Sequence, residues 1–255
     1  MSLTLTAIPA IPLIQAGDDL APILLQALHA AGVALQDGDV LVLAQKIVSK
    51  AEGRWVNLTG VQPSAQALEL AARIEKDPRL LELVLQESHA VLRMRPGTII
   101  VEHKLGFICA NAGIDHSNVA GEGSQDEEWV LLLPEDPDKS ARQLREQFEH
   151  ASGVRLGVLI IDSHGRAWRQ GVVGIAIGLS GLPGLVDLRG QPDLFGYTLR
   201  ITQIGVADEL AAAASLVMGQ GAEGTPLVHV RGFPYPLRDG SLNELLRPKE
   251  LDLFR

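Results

Sequence analysis

Short apolar runs and longer amphipathic segments follow one another along the chain, and each kind predicts a different element. A continuous apolar run of about 4–8 residues beside turn residues is typical of a buried strand. Strands are therefore predicted at VLVLA (40–44), TIIVEH, GFICA (106–110), VLLL (130–133), LGVLIID (156–162), TLRITQI (198–204) and LVHVR (227–231). The strand at 156–162 is expected to end on Asp162, and a glycine-spaced apolar stretch follows at 171–181.

Amphipathic segments preceded by capping residues predict the helices. Asp or Ser before the helix, Pro at its first position and Gly after its last apolar residue are typical boundaries. The predicted helices are one after Asp19 ending at Gly32, one from Ser64 through ALELAARIE, one from Pro78 through RLLELVLQESHAVL, one within PEDPDKSARQLREQFEH, one at ADELAAAASLVM (207–218), and a helical tail near 241–252. The segment QKIVSKAEGR (45–54) is interpreted as a polar connection.

The order of these elements indicates the fold class. Strands and helices are mixed without regular βαβ alternation, which favours an α+β fold with mixed sheets and packed helices over a doubly wound parallel sheet. The length fits a single unit over residues 1–255, and the polar stretch at 134–153 marks a soft boundary between two closely packed subdomains.

The composition of the chain argues against nucleic acid and membranes as binding partners. The chain has 22 Lys+Arg against 31 Asp+Glu, a net charge of −9, which argues against sequence-independent binding to nucleic acid or to anionic membranes. It has no basic, apolar leader and no run of about 18 apolar residues, so a soluble cytoplasmic protein is expected. Cys109 is the single cysteine, and its apolar strand predicts buried packing rather than a disulfide, a nucleophile or a multi-cysteine metal site.

One glycine motif resembles a dinucleotide-binding motif, but its position between the predicted elements argues against that function. Gly219-Gln-Gly-Ala-Glu-Gly224 fits G-x-G-x-x-G, but it follows a predicted helix and precedes a predicted strand, the reverse of the Rossmann order. Such a segment can still offer backbone N–H groups to an anion, or simply end the helix. Neither a P-loop nor an H-E-x-x-H motif occurs, so the sequence does not support a P-loop nucleoside triphosphatase or a zinc hydrolase of that type.

Acidic and basic side chains near predicted strand ends are the candidate chemistry. Asp115 and Asp162 stand among Ser, Asn and Gly, a setting that suits an oxygen-liganded cation such as Mg²⁺ or Mn²⁺. The alternative is that Asp162 caps a turn and Asp115 forms an Asx-turn. Lys50 and the pair Arg166 and Arg169 are suited to phosphate or carboxylate, the alternative being a solvated surface. Without an evident covalent nucleophile, this set predicts phosphoryl transfer to an oxygen of the substrate itself.

Six segments in one order carry a more specific resemblance. They are IPLIQAGDDL (11–20), VLAQKIVSKAEGR (42–54), ANAGIDHSNV (110–119), LLPEDPDKSA (132–141), IIDSHGRAWRQGVVGIAIGLSG (160–181) and ADELAAAASLVMGQ (207–220). Over about residues 3–235 the chain resembles the coenzyme F-420:γ-L-glutamyl ligase family, most sharply in NAGIDHSN and around Asp162.

The resemblance implies a function and an assembly. Members use GTP, a divalent ion (Mn²⁺ or Mg²⁺, at two sites) and a monovalent cation (K⁺) to add L-glutamate to the deazaflavin precursor F-420-0. The implied fold is an α+β fold particular to the family, in an intertwined homodimer. The chain is expected to form one ligase unit, without the C-terminal reductase domain that some relatives carry.

The resemblance also assigns residues by position. Lys50, Asp115 and Asp162 are the implied catalytic residues, and Arg166 and Arg169 are assigned to substrate anions. The implied nucleotide contacts are Ile11, Pro12, Leu13, Ile14, Gln45, Lys50, Asn118, Met218, Gly219, Gln220, Gly221, Gly224 and Thr225. The implied metal ligands are Asp115 and Asp162 for one ion, with Ser163 and Gln220 for the second. Gln220 departs from relatives that carry a carboxylate there, and an amide oxygen adds no negative charge.

The implied reaction passes through an acyl phosphate. The terminal carboxylate of F-420-0 attacks the γ-phosphate of GTP, and the amine of glutamate then displaces phosphate. Two other classes stay open from the residues: a metal-dependent phosphohydrolase using both aspartates, and a non-catalytic nucleotide-binding protein.

Overall fold

The architecture is described from a computed structural model that covers residues 2–119 and 128–253. The strands in these ranges are β1 (Thr4–Ile8), β2 (Val40–Ala44), β3 (Trp55–Asn57), β4 (Ser88–Arg95), β5 (Thr98–His103), β6 (Ile108–Ala110), β7 (Trp129–Leu131), β8 (Gly157–Arg166), β9 (Arg169–Ser180), β10 (Val186–Asp187), β11 (Gln203–Ile204) and β12 (Leu227–Arg231). The α-helices there are α1 (Leu20–Ala30), α2 (Gln45–Ala51), α3 (Ala65–Ile74), α4 (Pro78–Gln86), α5 (Pro137–Ser152) and α6 (Val206–Met218).

A five-stranded sheet in the order β1-β12-β2-β8-β9 forms the centre of the fold. Strands β2 and β8 run parallel, and the other neighbouring pairs in this sheet are antiparallel. A three-stranded sheet, β4-β5-β6, and the pairs β3-β7 and β10-β11 complete the strands of the described residues. The α+β class with mixed sheets and packed helices is therefore confirmed.

Both faces of the central sheet are covered, which explains why β2 is apolar at every position. Successive side chains of a strand point to opposite faces. Leu41 and Leu43 belong to the core that includes α1 and α5, whereas Val40 and Val42 belong to the core formed with α6. A strand buried on both sides has no polar face, and this accounts for its continuous apolar run.

Strand β9 lets the helices approach closely through two glycines. A Cβ on Gly174 would lie 2.6 Å from the carbonyl oxygen of Ala211 in α6. A Cβ on Gly178 would lie 2.7 Å from the carbonyl oxygen of Pro137 at the start of α5. The glycine spacing seen in the sequence at 171–181 is thus a packing requirement of two helices.

Several predicted elements are confirmed at their predicted positions. The strands at 40–44 and 227–231 form β2 and β12, and the helix at 207–218 is α6. The cap predictions also hold, since Ser64 accepts the N–H of Ala67 and Asp77 accepts the N–H of Arg79 ahead of Pro78. Short polar side chains at these positions satisfy N–H groups that have no partner within the helix.

Other predictions are wrong. The polar connection at 45–54 contains helix α2, and the helix begun at Pro78 ends at Gln86, after which 88–95 form a strand. The segment 198–204 contains only the two-residue strand β11, and the tail near 241–252 forms 3₁₀ turns at Leu242–Glu244 and Lys249–Leu251. Strand β8 continues through Asp162 to Arg166, because it pairs with β9 well beyond its apolar part. Strand β1 was not predicted.

No helix in residues 2–119 and 128–253 is long and apolar enough to cross a bilayer.

Candidate functional site

A left-handed turn presents Asp115. Asn111, Ala112 and Gly113 all have positive φ angles, of 51°, 53° and 65°. A Cβ on Gly113 would lie 2.6 Å from a methyl carbon of Leu133, so only glycine fits there without a shift. Such backbone angles are costly for non-glycine residues and are often found at functional sites. The backbone of Asp115 is then fixed by two hydrogen bonds to Leu131, of 3.0 and 2.9 Å.

The carboxylate of Asp115 is held by two residues of α2. Gln45 Nε2 donates to Asp115 Oδ2 at 2.6 Å, and Lys46 Nζ lies 3.0 Å from Asp115 Oδ1. Ser49 Oγ donates to Gln45 Oε1 at 2.8 Å, which fixes which end of the buried Gln45 amide faces the aspartate. Asp115 therefore makes tertiary contacts rather than the Asx-turn that was the alternative.

Asp162 lies within β8, on the same face as His164. Residues two apart in a strand point to one side, and His164 Nε2 lies 2.9 Å from Asp162 Oδ2. Asp162 contacts this histidine and does not end the strand, so the turn-capping alternative does not describe it.

The two aspartates are close enough to affect each other. Burial raises the pKa of Asp115 above its usual value, and the negative charge of Asp162 raises it further. Lys46 and Gln45 act in the opposite direction without overcoming these causes. Two carboxylates in a partly enclosed space favour a cation between them. Among the described residues no group of three His, Cys, Asp or Glu side chains is placed to hold a metal, so the candidate cation site there is the pair Asp115 and Asp162.

Ser163 and Gln220 form a second pair of oxygens. Ser163 Oγ donates to Gln220 Oε1 at 2.6 Å, while Gln220 Nε2 donates to Ser215 Oγ at 2.9 Å. Since Ser163 follows Asp162 in a strand, its side chain points to the opposite face of β8. The structure thus brings Asp115 together with Asp162, and Ser163 together with Gln220, as two separate pairs. Both pairs consist of oxygen donors, the kind that Mg²⁺ and Mn²⁺ prefer.

Lys50 connects three segments of the chain. Its Nζ donates to the carbonyl oxygen of Asn118 at 2.8 Å, and Asn118 Nδ2 donates to the carbonyl oxygen of Gly221 at 3.1 Å. Nζ also lies 5.3 Å from the ring centroid of Trp55. Burial and the nearby Lys46 lower the pKa of Lys50, and Asp115 opposes this shift. Lys50 is therefore linked through Asn118 to the glycine segment at Gly221, which is distant from it in sequence.

The glycine segment between α6 and β12 has the context predicted from the sequence. Gly219 and Gly224 have positive φ angles, and Thr225 Oγ1 donates to the carbonyl oxygen of Met218 at 2.9 Å. The N–H of Gly221 donates to the carboxylate of Glu223 at 2.8 Å. A backbone N–H of this segment therefore already binds an anionic oxygen, although from its own chain.

The segment 11–14 leads to Gly17, which lies against the end of α2. The N–H of Gly17 donates to the carbonyl oxygen of Ala51 at 2.9 Å, which holds the segment before α1 next to that helix. The side chain of Ile14 is buried in the core, whereas that of Leu13 is exposed. Of the side chains assigned to nucleotide, Ile14, Gln45 and Met218 are thus buried and already in contact with protein.

Arg166 and Arg169 stand apart from the aspartates. They are opposite each other at the exposed tip of the β8–β9 hairpin, and Arg166 donates to the carbonyl oxygen of Gly171 at 3.2 Å. Trp168, between them, is 89% exposed with φ of 64°, so it does not belong to the core. Arg54 is half-buried and donates to Glu87 and to the carbonyl oxygen of Leu133.

Two residues of this site were not found from the sequence. Lys46 was missed because 45–54 was interpreted as a connection, and a helix is needed to place it on the face of Lys50. His164 was missed because β8 was expected to end at Asp162. Cys109 is buried in β6, as predicted, and burial together with Asp162 raises the pKa of its thiol to about 12.

Comparison with known proteins comes from a family profile and from curated relatives. The profile for F420-0:Gamma-glutamyl ligase matches residues 9–232. A protein named coenzyme F420:L-glutamate ligase from Methanothermobacter thermautotrophicus is 47% identical over 257 residues, covering 100% of both chains. Proteins of the same name from Methanopyrus kandleri and Archaeoglobus fulgidus are 44% and 45% identical, covering 100% and 97% of this chain and 98% and 94% of their own.

Proposed function

The chain belongs to the F420-0:gamma-glutamyl ligase family, and from that premise we propose that it uses GTP to add L-glutamate to the deazaflavin precursor F-420-0 in coenzyme F-420 biosynthesis. The observation that carries this proposal is the meeting of Asp115, Asp162 and Lys50 beside the glycine segment 219–224. A nucleoside triphosphate is typically bound by cations held on oxygen ligands, by a lysine and by backbone N–H groups.

Divalent cations are part of the proposal, and the oxygen donors described above fit them. Asp115 and Asp162 would hold the first Mn²⁺ or Mg²⁺, and Ser163 with Gln220 the second, with K⁺ assisting. When bound, these ions would neutralise phosphate charge and make the γ-phosphate more electrophilic. Because Ser163 and Gln220 bring no charge, the second site would depend on the phosphates of GTP for most of its negative charge.

The remaining tasks belong to the side chains and backbone of the protein. Lys50 would contact the phosphates as a point charge, and its partly buried position makes that charge more effective than one in water. The N–H of Gly221 would exchange the Glu223 carboxylate for a phosphate oxygen. Arg166 and Arg169, at the hairpin tip, would bind an anionic group of the deazaflavin arm or of glutamate.

No covalent enzyme intermediate is proposed. The one thiol, Cys109, is buried and its raised pKa keeps it protonated at neutral pH. A carboxylate oxygen of F-420-0 therefore attacks the γ-phosphorus, GDP leaves with the bond electrons, and an acyl phosphate forms. The amine of L-glutamate then attacks the acyl carbon, phosphate leaves, and the ammonium nitrogen loses its proton to give the amide. Positioning and charge neutralisation supply the catalysis.

A homodimer is the proposed assembly. In the segment 188–202, between β10 and β11, the side chains of Leu194, Phe195 and Ile201 are almost completely exposed. A group of large apolar side chains on a surface is typical of a protein interface. A second copy of the chain would cover it, since most oligomers of this kind are symmetric.

The direct test is product analysis. Purified protein is incubated with F-420-0, L-glutamate, GTP and Mn²⁺, and mass spectrometry is expected to find F-420-0 extended by one or more glutamates. Sustained GDP release is expected only when both acceptor and glutamate are present, because without glutamate the acyl phosphate is not consumed. Sustained phosphate release from GTP without acceptor and glutamate would support the phosphohydrolase instead, and GTP binding without turnover would support a non-catalytic protein. Asp115→Asn is the inactive control.

A further inference from the structure

The ammonium of Lys46 is surrounded by oxygen atoms. Nζ lies 3.0 Å from Asp115 Oδ1, 3.2 Å from the carbonyl oxygen of Ser117 and 3.1 Å from Ser117 Oγ. An ammonium has three hydrogens to donate, and here three oxygens accept them. A carboxylate, a carbonyl and a hydroxyl oxygen are also the set of ligands that a hard divalent cation takes.

The two oxygens of Asp115 have different partners. Oδ2 accepts the amide of the buried Gln45, whose Oε1 in turn accepts the hydroxyl of Ser49, so this contact belongs to the buried side of α2. Oδ1 faces Lys46, whose side chain is 26% exposed and so has room to move. If a metal ion bound to Oδ1 while the Lys46 ammonium stayed there, two cations would share one oxygen. The repulsion between them would be strong in a partly enclosed site.

Helical spacing keeps Lys46 near the proposed phosphates after it leaves Asp115. Lys46 and Lys50 are four residues apart on α2 and share one face of it. Both reach the same segment, Lys46 at Ser117 and Lys50 at the carbonyl oxygen of Asn118. A displaced Lys46 ammonium therefore stays beside Lys50.

From this geometry we propose that Lys46 is an exchange residue: without metal its ammonium takes the cation position at Asp115, and a divalent cation displaces it toward the phosphates of the nucleotide. The inference rests on the proposed function and deepens it, because it assigns Lys46 to the same site. It makes cation binding and phosphate binding cooperative, since the ion that fills Asp115 also frees a positive charge for the nucleotide.

The test is direct Mn²⁺ binding without nucleotide, followed by electron paramagnetic resonance, on wild type and Lys46→Gln. Lys46→Gln keeps the length of a polar side chain but removes the charge, and it is expected to bind Mn²⁺ about tenfold more tightly. The same variant is expected to have a lower kcat/KM for GTP. Lys139→Gln, on the exposed start of α5, is the matched control and is expected to change neither value.

A second variant separates this inference from the proposed function. Asp115→Asn is expected to lose Mn²⁺ binding, with circular dichroism at the same temperature checking that each variant is folded. If Asp115→Asn loses Mn²⁺ and Lys46→Gln binds it no more tightly than wild type, the exchange role of Lys46 is overturned and the metal assignment stands. If Asp115→Asn binds Mn²⁺ like wild type, both the metal assignment and the exchange role are overturned.

Discussion

His164 Nε2 lies 2.9 Å from Asp162 Oδ2, and the two side chains are 7% and 12% exposed. A hydrogen-bonded carboxylate keeps one orientation, and loss of a partner that orients a metal ligand typically lowers metal affinity by about 10–100-fold. His164 is therefore interpreted as a positioning residue for Asp162, two places along the same strand.

This relationship predicts the effect of replacing His164. His164→Leu is expected to weaken Mn²⁺ binding about tenfold, because Asp162 loses the donor that orients it. His164→Gln carries an amide nitrogen close to the position of Nε2 and is expected to restore most of the affinity. Titration of Mn²⁺ by electron paramagnetic resonance measures both. Equal affinities for the Leu and Gln variants would show that the ring acts through packing alone.

The sequence and the structure agree best where a local pattern is sufficient. The apolar run of β2 and the caps at Ser64 and Asp77 depend on neighbouring residues, and all three were predicted correctly. Helix α2 was not, because the contacts of Gln45 and Lys50 come from residues about seventy positions away. Tertiary contacts override a local polar pattern in such a segment.

The candidate site divides in the same way. Asp115 and Asp162 were found from their residue setting near predicted strand ends and again from the resemblance to a family, and the structure brings these residues together. Lys46 and His164 were identified only from the structure. Lys46 reaches the site because it lies on one face of a helix, and His164 because its strand continues beyond the apolar part. A sequence motif can identify which residues take part in a site. Which of them contact each other depends on the register of the strands and helices that carry them.

Lys50 is predicted to act on the nucleotide. Lys50→Gln is expected to lower kcat/KM for GTP by about 100-fold, because a charge-assisted contact to phosphate is lost in a partly buried site. Lys50→Arg keeps the charge and is expected to recover part of the activity, limited by the different shape of the guanidinium. Steady-state kinetics at saturating acceptor and glutamate measures this. Unchanged kinetics in Lys50→Gln would remove Lys50 from the nucleotide site.

His103 is predicted to make stability depend on pH. Its Nδ1 accepts the N–H of Leu105, its ring stacks on Phe107, and burial lowers its pKa from 6.5 to about 4. The unfolded chain therefore takes up a proton below pH 6.5 that the folded chain does not, so the stability from a neutral His103 is lost as the pH falls from 6.5 to 4. The full effect is about 3 kcal/mol.

The measurement is urea unfolding of wild type and His103→Asn between pH 7.5 and 4.5. Asn can still accept the N–H of Leu105 but does not titrate, so the stability advantage of wild type over the variant is expected to shrink as the pH falls. Buried carboxyls such as Asp138 and Asp208, whose pKa values are raised by burial, titrate in both proteins and cancel in the difference. A constant difference across this range would contradict the prediction.

Gly178 is predicted to be a packing requirement. Gly178→Ala would bring a Cβ against the backbone of Pro137, so the start of α5 has to move away from β9. We expect a loss of about 2 kcal/mol in the free energy of unfolding, typical of overpacking. Gly60→Ala is the matched control, because its Cβ would meet nothing within 4 Å, and it is expected to stay within about 0.5 kcal/mol of wild type. Equal stability of the two variants would refute the packing argument.

The exposed apolar side chains Leu194 and Phe195, with Ile201 in the same segment, are predicted to lie in a dimer interface. Leu194 and Phe195 are 97% and 95% exposed in the single chain, and Ile201 is 88% exposed. Leaving such side chains in water forfeits about 1.5–3 kcal/mol for each one that a partner would bury.

The double substitution Leu194→Ser and Phe195→Ser is therefore expected to shift the protein from dimer to monomer in sedimentation velocity, at concentrations where wild type is dimeric. Leu251→Ser and Leu253→Ser, at exposed positions near the end of the described chain, form the matched control and are expected to leave the assembly unchanged. A monomeric wild type would exclude the homodimer. A double variant that stays dimeric would place the interface elsewhere, because a symmetric contact loses both copies of each side chain at once.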